Sequence, residues 1–188
     1  MNAPPIAAVI LAAGAGRRMG GPKARLLLDG ETLLHRAART ALAAGCASVV
    51  AVVGPWDPGL EDLAVVTVVN AEAQEGVASS IRKGIGALSA EVVATLIMTV
   101  DQPAVDAALL RDLMALFRGS DDRPVACLYA GTPGSPAVFP RRLFPELRVL
   151  EGDRGAKPIL LREGAATLPF PEGAFDLDRP EDFERLRR

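Results

Sequence analysis

The chain has 188 residues and a formal net charge of −2, and 49% of its residues are hydrophobic and 23% charged. These values are typical of a globular protein, and the length suits one domain over residues 1–188. The charge argues against a protein that binds nucleic acid through overall positive charge. No apolar run reaches the ~18–20 residues of a membrane-spanning helix, and the N-terminus lacks the positive region of a signal peptide. We expect a cytoplasmic protein without a nucleic-acid or membrane partner.

Short runs rich in Val and Ile alternate with helix-like segments. The runs are Ile6–Leu11, Val49–Val53, Val65–Val69, Thr95–Val100 and Val125–Tyr129. Because they are apolar on both faces, they are predicted to be central strands of a covered sheet. The spacing of apolar residues predicts helices at Thr32–Ala44, Val77–Leu88 and Asp106–Phe117. This alternation predicts an α/β fold with a mostly parallel sheet, followed after residue 130 by shorter elements rich in Pro and Gly.

The stretch LAAGAGRRMGGPK, residues 11–23, follows the first predicted strand. A loop in this place lies at the carboxyl edge of a parallel sheet, where ligands bind. Its glycines let backbone N–H groups approach a phosphate, and Arg18 and Lys23 would neutralise a polyphosphate. The spacing fits neither a dinucleotide fingerprint nor a Walker A loop, because Pro22 interrupts both. The alternatives are a nucleotide loop of another type and a charged surface loop.

Carboxylates follow at two places. Asp101 comes directly after the apolar run TLIMTV, and Asp176 and Asp178 are two residues apart near the C-terminus. Asp101 and Asp178 could each cap a helix, Asp178 at a helix predicted over Pro180–Arg188. They could also form a sufficient ligand set for Mg²⁺, which prefers one or two carboxylates plus phosphate oxygens and water. Whether Asp176 joins them is open.

The residues offer no good nucleophile or histidine base. The one histidine, His35, lies in a predicted helix, and Cys46 and Cys127 have no CxxC spacing. A phosphate monoester acceptor needs no base, because its second pKa is near 6 and it is already an anion at neutral pH. It needs charge neutralisation and in-line positioning against the α-phosphate of a nucleoside triphosphate.

The loop LAAGAGRRMGGPK resembles the signature LAAGxGxRMGxPK of the MobA-like nucleotidyltransferases, which include the molybdenum cofactor cytidylyltransferases and guanylyltransferases. The resemblance extends to Asn70 with EGVASSIRKGI (75–85), VDQP (100–103), LEGDRGAKPIL (150–160) and DLDRPEDF (176–183). It implies a three-layer, Rossmann-like nucleotidyltransferase fold with a mostly parallel, mixed central sheet. It also implies transfer of NMP from an NTP to a small phosphorylated acceptor, with Mg²⁺ as cofactor and pyrophosphate as product.

The resemblance also implies residue roles. Catalytic roles fall to Arg18, Lys23 and Asp101, metal ligation to Asp101 and Asp178, and nucleotide binding to Leu11, Ala12, Ala13, Gly14, Gly16, Arg18, Lys23, Asn70, Ser80 and Asp101. The alternative for Asn70 is a strand-ending turn, and the alternative for the serine pair is that Ser79 caps the Val77 helix. The segment LDGETLL (28–34) is closer to cytidylyl than to guanylyl members, which favours CTP.

The acceptor that the resemblance implies is molybdopterin, with a molybdoenzyme or its chaperone as a further partner. The chain departs from the family at Gly134-Ser135-Pro136, where cytidylyl members often carry Gly-His-Pro. Sugar phosphates, polyol phosphates and phospholactate are alternative acceptors. A third hypothesis is a nucleotide-binding accessory protein that delivers molybdenum cofactor without turnover.

Overall fold

The structure, a computed structural model, describes residues 4–16, 19–179 and 181–183. Its strands are β1 (Ile6–Ala12), β2 (Leu27–Leu28), β3 (Glu31–Thr32), β4 (Val49–Val53), β5 (Val66–Val69), β6 (Ala94–Thr99), β7 (Val125–Tyr129), β8 (Thr132–Pro140) and β9 (Ala166–Pro169). Its α-helices are α1 (Leu33–Ala43), α2 (Val77–Gly86), α3 (Ala107–Arg118), α4 (Phe144–Leu147) and α5 (Lys157–Arg162). None of the helices within these residues is long and apolar enough to span a lipid bilayer.

Seven strands form one mixed sheet in the order β5-β4-β1-β6-β8-β7-β9. The strand β1 pairs in parallel with β4 and β6, and β4 pairs in parallel with β5. The strand β8 runs antiparallel to β6 and β7, whereas β7 and β9 are parallel. This topology confirms the predicted α/β fold with a mostly parallel, mixed sheet. The glycine-rich loop follows β1, and Asp101 follows β6. Because β1 and β6 are parallel neighbours, both lie at the same edge of the sheet.

Helices cover both faces of the sheet and complete the three layers. In β1, Ile6, Ala8 and Ile10 belong to the core shared with α1 and α3, whereas Ala7 and Val9 belong to the core shared with α2, α4 and α5. Successive side chains of a strand point to opposite faces, so a strand covered on both sides is apolar throughout. This is the pattern from which the strand was predicted.

The prediction that Val65–Val69 is a central strand is wrong. The strand β5 lies at the edge of the sheet, and Val66 and Val69 are 55% and 54% exposed. Valine favours any pleated, partly covered position, so composition alone does not distinguish an edge from a centre. Of the helix predicted over Pro180–Arg188, residues 181–183 are helical, and Pro180 and residues 184–188 lie outside the described residues. That residues 1–188 form one domain stays a prediction.

Local chemistry determines how the helices begin. Thr32 Oγ1 accepts a hydrogen bond from the backbone N–H of His35 at 3.1 Å, and Asp106 caps α3 by accepting one from Leu109 at 2.8 Å. The helix α2 has no side-chain cap and follows Gly76, whose φ is +112°. Its first turn is tied instead to the segment after α4, because Ala78 N–H donates to the carbonyl oxygen of Gly152 at 3.1 Å.

The helix α2 packs closely on the sheet through Gly84. A Cβ at Gly84 would overlap the Val9 side chain and lie 3.2 Å from Val52 Cγ2, whereas a Cβ at Gly86 would meet nothing within 4 Å. We expect Gly84→Ala to lower the free energy of unfolding by about 1–3 kcal/mol, because the helix must move off the sheet. Gly86→Ala, in the same helix, should be neutral or stabilising by up to ~1 kcal/mol. Chemical denaturation measures both, and equal stabilities of the two variants would contradict this packing.

Candidate active site

The glycine-rich loop leaves β1 and closes on itself. Gly16 has a φ of +57°, and its carbonyl oxygen accepts hydrogen bonds from Met19 N–H at 2.8 Å and Gly21 N–H at 3.3 Å. A Cβ at Gly16 would overlap the carbonyl oxygen of Gly21, so both the backbone angle and the close approach require glycine. Arg17 and Arg18 lie outside the described residues. The roles of Arg18 in catalysis and nucleotide binding therefore stay predictions.

A cavity of about 280 Å³ opens beside this loop, and we call it the loop cavity. The sequence-predicted residues that line it are Leu11, Ala12, Ala13, Gly14, Gly16, Lys23, Ser80 and Asp101. The remaining lining residues are Ala24, Ala73, Gly76, Val77, Thr99, Val100 and Asp153. The fold thus brings together predicted residues from the loop after β1, from α2 and from the end of β6. A flexible glycine backbone with the Lys23 ammonium and the Asp101 carboxylate suits a nucleoside triphosphate with its metal ion.

Asn70 lies behind the wall of the loop cavity. It is fully buried, and its side-chain amide donates hydrogen bonds to Ser79 Oγ at 2.9 Å and Ser80 Oγ at 3.0 Å. Its side-chain oxygen accepts from the N–H of Glu72 at 3.0 Å, which makes the turn that follows β5. Asn70 thereby holds Ser80 in place at the cavity. A direct contact between Asn70 and a nucleotide stays a prediction.

Lys23 joins the two carboxylates that the sequence singles out. Its Nζ donates to Asp101 Oδ2 at 2.9 Å and to Asp178 Oδ1. The carboxylate segments are also joined through the backbone, because Leu177 N–H donates to the carbonyl oxygen of Asp101 at 2.9 Å. Burial alone would lower the pKa of Lys23, but its hydrogen bonds to Asp178 and Asp101 outweigh burial and raise that pKa. Lys23 is therefore a full positive charge between the two carboxylates at neutral pH.

Asp176 belongs to the same acidic neighbourhood. Burial raises the pKa of its carboxyl to about 6, and the like charges of Asp101 and Asp178 add to the effect. The three carboxylates thus interact with one another, with one ammonium between two of them. Their surroundings favour an additional positive charge.

Asp101 and Asp178 fit a magnesium ion. Because both carboxylates contact one nitrogen atom, their oxygens converge on a single point. Across residues 4–16, 19–179 and 181–183, no group of three or more His, Cys, Asp or Glu side chains is arranged to hold a metal. Two carboxylates still suit Mg²⁺, which completes its octahedral shell with phosphate oxygens and water.

A second cavity of about 290 Å³ adjoins the first, and we call it the sheet cavity. Leu11, Val77, Thr99 and Asp153 line both cavities. The other lining residues are Ile81, Ile97, Tyr129, Thr132, Pro133, Gly134, Ser135, Ala137, Phe139, Arg154, Gly155, Ala156, Lys157 and Leu160. The sequence predictions missed this cavity, although the stretches Gly134-Ser135-Pro136 and LEGDRGAKPIL both contribute to it.

The sheet cavity combines an apolar surface with a few polar groups. Ile97, Phe139 and Leu160 are buried apolar residues, while Arg154 and Lys157 bring positive charge. The hydroxyl of Ser135 is buried and has no hydrogen-bond partner among the described residues. Buried polar atoms are normally paired, so this hydroxyl lacks a partner that a water molecule or a ligand would supply.

The two cavities share a wall that depends on Gly76. A Cβ at Gly76 would overlap both the Asp153 carboxylate and the carbonyl group of Gly152. The segment that carries Asp153 therefore lies directly against the start of α2. Asp153 lines both cavities, but it was not among the predicted site residues. The sequence feature that could have identified it is its position in the motif LEGDRGAKPIL.

We expect Gly16→Ala to weaken nucleotide binding at least about 10-fold, because its side chain would displace the backbone of Gly21 and open the loop. Gly21→Ala is the matched control, since a Cβ there meets nothing within 4 Å and Gly21 does not line the loop cavity. Titration calorimetry with CTP and Mg²⁺ measures the dissociation constants. Equal affinities of the two variants would mean that the closed loop does not form the binding surface.

Comparison with known proteins agrees with this geometry. Residues 8–167 match the family model described as the MobA-like NTP transferase domain. The chain is 31% identical to the "Probable molybdenum cofactor guanylyltransferase" of Opitutus terrae, over 100% of this chain and 97% of that protein. It is 34% identical to the "Nicotine blue oxidoreductase" of Paenarthrobacter nicotinovorans, over 84% of this chain and 82% of that protein.

Solved structures share the fold. The crystal structure of Rv0371c from Mycobacterium tuberculosis H37Rv matches with a TM-score of 0.82 and 28% identity, over 98% of both chains. A complex of Rv0371c with manganese matches with a TM-score of 0.78 and 26% identity, over 97% of both chains.

Proposed function

This chain belongs to the MobA-like NTP transferase family of nucleotidyltransferases, and we propose that it transfers a cytidylyl group from CTP to the phosphate of molybdopterin. The observation that carries this proposal is the meeting of the glycine-rich loop, Lys23 and Asp101 in the loop cavity. Those groups match the needs of a nucleotidyl transfer, which are a bound triphosphate, a positive charge near it and a metal-binding carboxylate.

The reaction needs no protein base. An oxygen of the acceptor phosphate attacks the α-phosphorus, and the bond from that phosphorus to the bridging oxygen of pyrophosphate breaks. The cysteines agree with a reaction that uses no protein nucleophile. Burial raises the pKa of Cys46 to about 11 and that of Cys127 to about 12, so both thiols are neutral at neutral pH. His35 lies outside both cavities, with its ring nitrogens 2.8 Å from Glu31 Oε1 and 2.9 Å from Asp62 Oδ2.

The chain then has to neutralise the charge of the triphosphate and to orient it. Lys23 brings positive charge to the triphosphate, and Gly14 and Gly16 let the backbone approach its oxygens. Asp101 and Asp178 would hold Mg²⁺, which when bound neutralises charge on the phosphoryl oxygens. The structural likeness to a protein solved with manganese supports a divalent metal in this family.

We place the acceptor in the sheet cavity, because it adjoins the loop cavity through Leu11, Thr99 and Asp153. Its apolar surface suits the body of a ring-containing acceptor, and the buried Ser135 hydroxyl offers one hydrogen bond. The product would pass to a molybdoenzyme or its chaperone.

Ser135 also supports a second candidate function. Cytidylyl members of the family often carry a histidine at this position. The serine hydroxyl found here suits a different acceptor. A panel of CTP and GTP with molybdopterin, a sugar phosphate, a polyol phosphate and phospholactate distinguishes the candidates by pyrophosphate release. Release that depends on molybdopterin supports the proposal, and release that depends on another acceptor favours the second candidate. Nucleotide binding without release in any combination indicates a delivery protein.

We expect Asp101→Asn to reduce pyrophosphate release by about 100-fold or more, because it removes charge from the metal site. The fold should remain, since the substitution changes no core volume. Asp112→Asn, on the exposed side of α3, is the matched control. Activity of Asp101→Asn near that of the control in saturating Mg²⁺ would contradict the metal assignment.

We expect CTP to be used better than GTP. This expectation rests on the resemblance of Thr32-Leu33-Leu34 to cytidylyl members. The structure adds no direct contact, because Leu33 and Leu34 are buried in the core and do not line the loop cavity. Values of kcat/KM for the two nucleotides test it, and equal or reversed values would overturn it.

A further inference from the structure

We propose that the Lys23 ammonium is an exchangeable counter-ion of the Asp101 and Asp178 carboxylates, and that a divalent cation and this ammonium occupy the place between them in turn. The inference rests on the metal site of the proposed function. It adds a second role for Lys23, whose ammonium weakens metal binding at the two carboxylates until a nucleotide binds.

The first argument is spatial. The same two carboxylates that would ligate a metal both contact Lys23 Nζ, at 2.9 Å for Asp101 Oδ2. Mg²⁺ requires oxygen ligands at about 2.0–2.1 Å. An ion bound to both carboxylates would lie within contact distance of the ammonium, where the two positive charges repel each other strongly. The ammonium must therefore leave before the metal can bind both carboxylates.

The second argument concerns where the ammonium goes. Lys23 and Asp101 both line the loop cavity, so rotation about the lysine side-chain bonds would turn Nζ from the carboxylates toward a ligand bound there. Its backbone does not have to move, because the turn is held by Arg25 N–H to the carbonyl of Pro22 at 3.0 Å and Leu26 N–H to that of Lys23 at 2.9 Å. The phosphates of a bound nucleotide provide the new partner for the ammonium.

These two arguments predict coupling between metal and nucleotide. Without nucleotide, a metal ion must displace an ammonium that already pairs with both carboxylates. With nucleotide, the ammonium pairs with phosphate and its contacts with the two carboxylates are lost. Nucleotide should therefore tighten metal binding more in the wild type than in a variant that lacks the lysine charge.

The test measures binding of Mn²⁺, as a probe of the site, to wild type, Lys23→Met and the control Lys83→Met. Lys83 also forms an ion pair, with Glu72 at 3.4 Å, but lies outside both cavities. Without nucleotide, Lys23→Met should bind Mn²⁺ about 10-fold more tightly than wild type, and Lys83→Met should match wild type. A non-hydrolysable CTP analogue should then tighten Mn²⁺ binding by a larger factor in wild type than in Lys23→Met.

Equal or weaker Mn²⁺ binding by folded Lys23→Met would overturn the exchange. A second measurement uses the wild type alone, in case the variant does not fold. The chain has only three lysines, Lys23, Lys83 and Lys157, so their side-chain NMR signals are readily assigned. Titration with Mg²⁺ and the CTP analogue should shift the Lys23 signal, and an unchanged signal on metal binding would also overturn the exchange.

The outcome is separable from that of the proposed function. Tighter Mn²⁺ binding by Lys23→Met, together with no turnover of any acceptor by the wild type, supports the exchange and contradicts the proposed reaction. Pyrophosphate release by wild type with no change in Mn²⁺ affinity on loss of the lysine supports the reaction and contradicts the exchange.

Discussion

One ammonium group holds together three parts of the chain that are far apart in sequence. Lys23 is 78 residues from Asp101 and 155 residues from Asp178, and it contacts both carboxylates. Gathering carboxylates at one edge of a sheet is unfavourable unless a positive charge lies among them. A group of carboxylates that can bind a metal ion therefore needs a positive charge beside it even when no metal ion is bound. The lysine meets that need in the protein without metal.

The fold was predictable where local pattern and tertiary environment agree. The strands β1, β4 and β6 are apolar on both faces apart from the threonines of β6, and they contain neither proline nor glycine, so periodicity and composition give the same answer. The strand β8 was not predicted, because Pro133, Pro136 and Pro140 argue against a strand. In the structure β6 pairs only with residues 137–140 of β8, so Pro133 and Pro136 lie where β8 has no β6 partner.

The candidate site was predictable to the extent that its residues follow strands. The glycine-rich loop and Asp101 come directly after β1 and β6, and parallel neighbours end at one edge. Asp178 came from the resemblance and the charge pattern, and the structure places it against Lys23. The sheet cavity was not predictable, because it forms only when β8 and the residues after α4 come together over the sheet. For Asn70, no sequence pattern distinguishes a residue that touches a ligand from one that supports the wall behind it.

The common wall of the two cavities has an evolutionary consequence. The sequence-predicted residues that line the loop cavity come from the first 101 residues, whereas residues 129–139 and 153–160 contribute most of the sheet cavity. Under the proposed function, substitutions in residues 129–139 would alter the acceptor site without touching the loop cavity, since these residues line only the sheet cavity. Gly76 and Asp153 connect the two cavities, since a Cβ at Gly76 would overlap the Asp153 carboxylate. Two relatives of this chain carry names as different as guanylyltransferase and oxidoreductase.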